Sequence, residues 1–128
     1  MTPAQPKSPE RSRVTLHQLM LPEHANALGN VHGGEIMKMV DEAGAIAAMR
    51  HAQRQCVTIA IDSMTFDKPV HLGHLLVCDA RVTYVGRTSI EVSVKVHAEN
   101  PITAETTLTN SAHLVYVAIG DGGRPCEV

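Results

Sequence analysis

The sequence predicts an α+β domain in which a curved antiparallel sheet of about five strands wraps round one long central helix. Three observations predict it. The stretch from His32 to about Gln53 carries Ile36, Met37, Met39, Val40, Ala43, Ala45, Ile46, Ala47, Ala48 and Met49, which leave no wide polar face. A helix apolar nearly all round is buried on most sides. Three later stretches alternate apolar and polar residues, the mark of antiparallel strands with one face buried and one wet. The order of elements is then one strand, the helix and four strands. A single sheet enclosing the helix is the economical way to cover it, and pairing two such units completes the enclosure.

Residues 1–12 are rich in Pro, Ser and charge and are expected to be disordered. One domain is expected over 13–118, followed by a flexible tail over 119–128. Arg13 to Leu19 reads as a short strand, and Pro22 to Val31 as a loop before the helix. Gln53 to Gln55 is a polar break. Cys56 to Phe66 reads as a β-branched strand with Val57, Ile59 and Ile61 on one face and Cys56, Ala60, Met64 and Phe66 on the other. Apolar residues on both sides mean a strand covered twice or lying at an interface. Asp67 to His74 is a turn built on Pro69 and Gly73. The alternating strands follow. Leu75 to Val85 sets Leu76, Cys78, Ala80, Val82 and Tyr84 inward, and Ser89 to Glu99 does the same with Ile90, Val92, Val94, Val96 and Ala98. Glu105 to Val117 sets Leu108, Ala112, Leu114 and Tyr116 inward, with Asn110 on the same face and therefore expected to be buried and hydrogen-bonded.

Composition narrows the function. A net charge of −2 and a pI near 6.4 offer nothing to nucleic acid or to an anionic membrane. Charged residues are 19%, below the usual quarter or so, which points to surface covered by copies of the same chain. The three cysteines are widely spaced with no metal pattern, and fit free thiols in a reducing cytoplasm. The first residues hold no apolar run of the signal-peptide kind, and no stretch reaches the roughly 18 apolar residues of a membrane span. His71-x-x-His74 lacks nearby carboxylate or thiol partners, so no metal site is expected.

The chemistry concentrates at the helix. Gly33 and Gly34 leave the first helical amides open to a ligand, where the dipole favours an oxyanion. His32 beside them either contacts the ligand or orients the loop. Asp41 and Glu42 interrupt the apolar helix in its middle, and a carboxylate there must be paired, protonated or used, unless it turns outward to solvent. Gly33 and Asp41 lie eight residues apart, which is ~12 Å along a helix. A reacting carbonyl needs its oxyanion donor and its attacking group each about 3 Å away. Both are therefore expected at one site only if two helices pack antiparallel across a dimer axis.

HANALGNVHGG, MKMVDEAGAIAAMRH, VTIAIDSMTFDKPVHLGH and VGRTSIEVSVKV together cover most of Arg13 to Val117. In these pieces the chain resembles the hotdog-fold acyl-CoA thioesterases, in particular the cytosolic acyl-CoA hydrolase branch. The resemblance implies a cytoplasmic enzyme that hydrolyses acyl-CoA to free CoA and a fatty acid. It implies no cofactor, because CoA is part of the substrate. Relatives with two domains in tandem imply a homodimer here, assembled further into a tetramer or hexamer. The resemblance also implies two key positions: Asn26, whose amide can hydrogen-bond the water or the carbonyl, and Asp41, as general base on water or as nucleophile through a mixed anhydride. Glu42 matches a companion acid without an assigned role. Gly86, Arg87, Thr88 and Ser89 offer a guanidinium and two hydroxyls at a turn for the CoA phosphates, unless they only close a hairpin. Arg50 and His51, at the helix end, either reach a phosphate or, as expected first, cap the last helical carbonyls. Met37, Met39 and Met49 serve as core or as a pliable acyl channel.

Two other readings use the same fold. A thioester dehydratase wants a His with an acid on the helix, and this helix has no interior His. A non-catalytic acyl-CoA-binding protein of the sensor kind adds a DNA-binding segment, for which the residues before the first strand are too few. The choice between these readings rests on Asn26 and Asp41.

Overall fold

The computed structural model describes residues 9–62, 64–66 and 68–128. Its elements are α1 (Pro9–Ser12), β1 (Val14–Leu19), α2 (Gly33–Ala52), β2 (Gln55–Ile61), β3 (Leu75–Val85), β4 (Ser89–Glu99) and β5 (Thr106–Ile119). Single 3-10 turns lie at Pro22–His24 and Asp121–Gly123. The five strands form one antiparallel sheet in the order β1-β3-β4-β5-β2, and α2 packs against all five. This is the hotdog architecture.

The alternation of β3, β4 and β5 produces the inner face. Leu76, Cys78, Ala80, Ile90, Val92, Val94, Val96, Leu114, Tyr116 and Ala118 are fully buried. From the helix side, Ile36, Met39, Val40, Ala43, Ala47 and Ala48 meet them. The small residues of α2 allow the sheet to come close along the middle of the helix. Met39 is core, whereas Met37 is 40% exposed.

Three bulges correct the simple alternation. Tyr84 and Leu108 were expected inside but are 60% and 53% exposed. In each strand one extra residue interrupts the pairing: Val82 faces Val92 while Tyr84 faces Glu91, and Val96 faces Asn110 while His97 faces Leu108. A single inserted residue turns every side chain beyond it to the other face. The third bulge, between Thr58 and Ala60, lies in β2, which ends at Ile61 rather than running on to Phe66. Residues 64–66 lie outside the strands, and Asn110 Nδ2 donates to the Thr65 carbonyl. The turn expected over residues 67–74 has Gly73 at φ +82°, and its Asp67, like Ser63 before it, lies outside the described residues.

Of the segment expected to be disordered, residues 1–8 lie outside the described residues and Pro9–Ser12 form one helical turn. The expected caps of α2 act elsewhere. The Arg50 guanidinium donates to the carbonyls of Arg13 and Arg11 at 3.1 and 3.4 Å, and His51 Nδ1 lies 3.2 Å from the buried Ser12 hydroxyl. Both side chains reach the segment at and just after α1. Tail residues return along β5, with the amides of Cys126 and Val128 donating to the carbonyls of Ala118 and Arg87.

Arg13 holds β1 to β3 through Asp79, with Nε 2.9 Å from Oδ1 and Nη2 2.7 Å from Oδ2. The hydrogen bond from Arg13 lowers the Asp79 pKa, against the opposing effect of burial. A carboxyl depressed by folding stabilises the fold above its unfolded pKa, and that stability is lost as pH falls through the folded value. Arg13→Ala should therefore lower the melting temperature at neutral pH. In melts at successively lower pH the difference should shrink below about pH 4, the ordinary range of Asp. A difference that persists unchanged at the lowest pH would show that the pair's charge contributes nothing.

Candidate active site

Asp41 lies in the middle of α2, half-buried, where the helix crosses β5 and β2. Its Oδ1 accepts the Thr58 hydroxyl at 2.7 Å and lies 3.1 Å from the Tyr116 hydroxyl, which is also 2.9 Å from the Asp41 carbonyl. Thr58 and Tyr116 are paired across β2 and β5, so the sheet register delivers both hydroxyls to one carboxylate oxygen. Burial, and then the charge of Asp41, push the Tyr116 pKa well above that of a free phenol. Tyr116 therefore stays a donor throughout the physiological range. Among the described residues no cation pairs with Asp41. Hydroxyl dipoles hold the carboxylate while Oδ2 stays open.

The second group gathers at the start of α2. Asn26 Oδ1 accepts from the amides of Leu28 and Asn30 at 2.9 and 3.2 Å, and its own backbone amide donates to the Asn30 carbonyl at 2.7 Å. Gly29, at φ +82°, allows this tight return. With Oδ1 engaged in the turn, Nδ2 is the end of the side chain left to donate to a ligand. The loop is anchored from both sides. His32 N donates to the carbonyl of the buried His24, and Val31 N donates to the carbonyl of Val70.

His32 caps α2: its Nδ1 accepts from Gly34 N at 3.1 Å. The expected pair of open amides is thereby reduced to one. Gly34 N is engaged by His32, and Gly33 N has no acceptor among the described residues. A Cβ at Gly33 would lie 3.4 Å from the Phe66 ring, so Phe66, 45% exposed, stands beside that amide. Both Gly33 and Asp41 belong to the unbroken α2, and the ~12 Å between them along the axis follows from the helical rise. One chain thus holds two separate groups: Asn26, His32, Gly33, Gly34 and Phe66 at the helix start, and Asp41, Thr58 and Tyr116 at its middle. Glu42 is exposed.

Gly86 to Ser89 forms the hairpin between β3 and β4, closed by Gly86 N donating to Ser89 O at 2.8 Å. A Cβ at Gly86 would come 2.7 Å from Ser89 Oγ, so a larger residue there would turn the Ser89 hydroxyl aside. The Thr88 carbonyl accepts from Ala118 N. The Arg87 guanidinium is 85% exposed and lies 3.8 Å from Glu127. Ser89 pairs with Val117, which pairs with Val57, so this turn and Thr58 share one end of the sheet. His71 and His74 stack edge to face at 5.7 Å. Among the described residues no cluster of His, Cys, Asp and Glu gathers to hold a metal.

Sequence reasoning missed Thr58, Phe66 and the hydroxyl of Tyr116. Thr58 is the one hydroxyl in the run VTIAI, and Gly44 is a glycine inside an apolar helix one turn after Asp41. Such a glycine marks a close approach. Both signals were present, but only the pairing of β2 with β5 gives them a partner.

Comparison with known proteins bears on the family and the fold. The family model described as thioesterase superfamily matches residues 28–105. Protein VdlD of Helicobacter pylori is 35% identical over 116 residues, which are 91% of this chain and 66% of VdlD. The chain therefore spans just under two thirds of the length of that relative. An acyl-CoA hydrolase from Staphylococcus aureus, solved with butyryl coenzyme A, coenzyme A and coenzyme A disulfide, superposes with a TM-score of 0.90 at 34% identity, over 95% of this chain and 74% of that one. Variants of that hydrolase with an Asp, a Thr or an Asn replaced by Ala have also been solved, the Asn variant with coenzyme A. An apo-hexameric acyl-CoA thioesterase gives a TM-score of 0.92 at 41% identity, over 95% of this chain and 78% of that one. By its matched residues, its fold and these relatives, the chain belongs to the thioesterase superfamily, on the branch that holds the acyl-CoA hydrolases.

Proposed function

We propose that this chain hydrolyses acyl-CoA to free CoA and a carboxylic acid, at a site shared between two copies of itself. The observation that carries the reading is the carboxylate of Asp41, held mid-helix by the hydroxyls of Thr58 and Tyr116 with one oxygen open. In the S. aureus hydrolase the Asn, Asp and Thr replaced by Ala stand fifteen and seventeen residues apart, and Asn26, Asp41 and Thr58 repeat both intervals.

The division of labour follows from the two groups. Asn26 Nδ2 and Gly33 N of one copy donate to the thioester carbonyl oxygen and stabilise the oxyanion as it forms. Asp41 of the other copy, steadied by Thr58, takes a proton from water, which attacks the carbonyl carbon. The tetrahedral intermediate collapses, the C–S bond breaks, and CoA leaves as its thiolate. If Asp41 attacks directly, its Oδ2 forms a mixed anhydride that water then opens. A single turnover in water labelled with heavy oxygen separates the routes, because only the anhydride route can leave label on Asp41.

The edge strand β2 supports the pairing of copies. Val57, Ile59 and Ile61 are 45%, 59% and 38% exposed in the single chain, on a strand with a free edge. An apolar open edge is a surface that a second copy covers. The hexameric relative fits assembly of such dimers into a larger oligomer.

Release of free thiol from a panel of acyl-CoAs tests the activity. Turnover of one or more chain lengths is expected, and no turnover of any would overturn the reading. Arg87→Ala tests the phosphate grip. Loss of one charge-assisted contact worth roughly 1.5–3 kcal/mol should raise KM about tenfold or more and leave kcat nearly unchanged. An unchanged KM would reduce Arg87 to a hairpin residue.

A further inference from the structure

Tyr116 is the largest fully buried side chain of a domain with only two Tyr, one Phe and no Trp. A Phe or Leu would fill the same core space. What the phenol adds is its hydroxyl, placed between the Asp41 carbonyl and Oδ1 at 2.9 and 3.1 Å. It reaches them through a gap in the helix. A Cβ built on Gly44 would lie 2.3 Å from that hydroxyl and 3.1 Å from the ring carbon bearing it. No other residue type leaves room there, although glycine inside a helix is less stable than alanine. Gly44 lies one turn after Asp41, so the gap and the carboxylate are on the same helix face. The phenol and the Thr58 hydroxyl together occupy Oδ1 and leave Oδ2 as the free oxygen.

We propose that Tyr116 and Gly44 are a positioning pair for Asp41. Tyr116 fixes which carboxylate oxygen faces the substrate, and Gly44 keeps open the space in which the phenol does so. Neither touches the reacting atoms, and both act through Asp41. The inference rests on the reading of Asp41 as the acid that acts on acyl-CoA.

The test is steady-state hydrolysis of acyl-CoA by Tyr116→Phe, Gly44→Ala, the double variant and Asp41→Asn, with kcat taken per folded subunit below each melting temperature. Tyr116→Phe should lower kcat about tenfold, the effect of one hydrogen bond to a charged group, and leave KM within about twofold. Gly44→Ala should lower kcat similarly by displacing the phenol. The double variant should have a kcat close to that of Tyr116→Phe alone, because the closest clash of an added Cβ, with the hydroxyl, is gone and only the tight ring contact remains. A purely structural role would lower the melting temperature and leave kcat per folded subunit unchanged. Should Gly44→Ala fail to fold, Tyr116→Phe carries the test alone. Wild-type kcat in Tyr116→Phe beside an inactive Asp41→Asn overturns the positioning pair and leaves the proposed function standing. An active Asp41→Asn overturns both.

Discussion

Asp41→Asn is expected to leave a folded protein that hydrolyses acyl-CoA at least about a hundredfold more slowly, the usual effect of losing a general acid–base group. The change removes a charge and almost no volume. Thr58 donates to Oδ1 in the native protein and Tyr116 shares its one proton between Oδ1 and the Asp41 carbonyl, and the amide oxygen of an Asn accepts from the same two hydroxyls. The helix and the contact with β5 should therefore persist, and the melting temperature should stay close to that of the native chain. An amide neither takes a proton from water nor attacks a thioester, so neither route through this position remains. Thiol release and a thermal melt on the same preparation give both quantities. Activity within a few-fold of native in a folded Asp41→Asn would remove Asp41 from the chemistry and leave its hydroxyl partners as packing.

Much of the fold was legible because its main elements repeat a simple pattern. The helix from Gly33 to Ala52 shows in an apolar girth that leaves no wide polar face, and β3 and β4 show in regular alternation. Errors appear where one residue is inserted. Thr83 and Thr109 are the extra residues that turn Tyr84 and Leu108 outward, and alternation carries no mark of a bulge. The strand after the helix ends at Ile61, short of the Phe66 that the residue pattern predicts. Met64, Thr65 and Phe66 continue a β-like pattern, but the Thr65 carbonyl is taken by the side chain of Asn110, forty-five residues away, instead of by a neighbouring strand's backbone.

The candidate site was legible in part. Gly33, Gly34, Asp41 and the ~12 Å between helix start and acid follow from residue types and helical rise. Asn26 rests on family resemblance, and the structure adds that its Oδ1 is engaged and its Nδ2 left to donate. The side-chain bond from Gly34 N to His32 depends on a ring orientation that the sequence does not carry. Thr58 and Tyr116 were beyond reach because they meet Asp41 only after β2 pairs with β5.

The most direct test of a site divided between two copies is subunit mixing. Asn26→Ala damages the group at the helix start, and Asp41→Asn damages the group at its middle. Each variant alone is expected to be nearly inactive. In a mixed dimer one site collects both lesions and the other collects neither. Random pairing makes half the dimers mixed, and half the sites in each are intact. About a quarter of native activity should then return if sites act independently and subunits exchange freely. Co-expression or refolding from denaturant makes the mixture, and mass spectrometry of the intact assemblies confirms the mixed dimers. Activity near a quarter of native supports donation of Asn26 by one chain and Asp41 by its partner. Confirmed mixed dimers that remain inactive would contradict the shared site, because both lesions would then act through residues of the same chain.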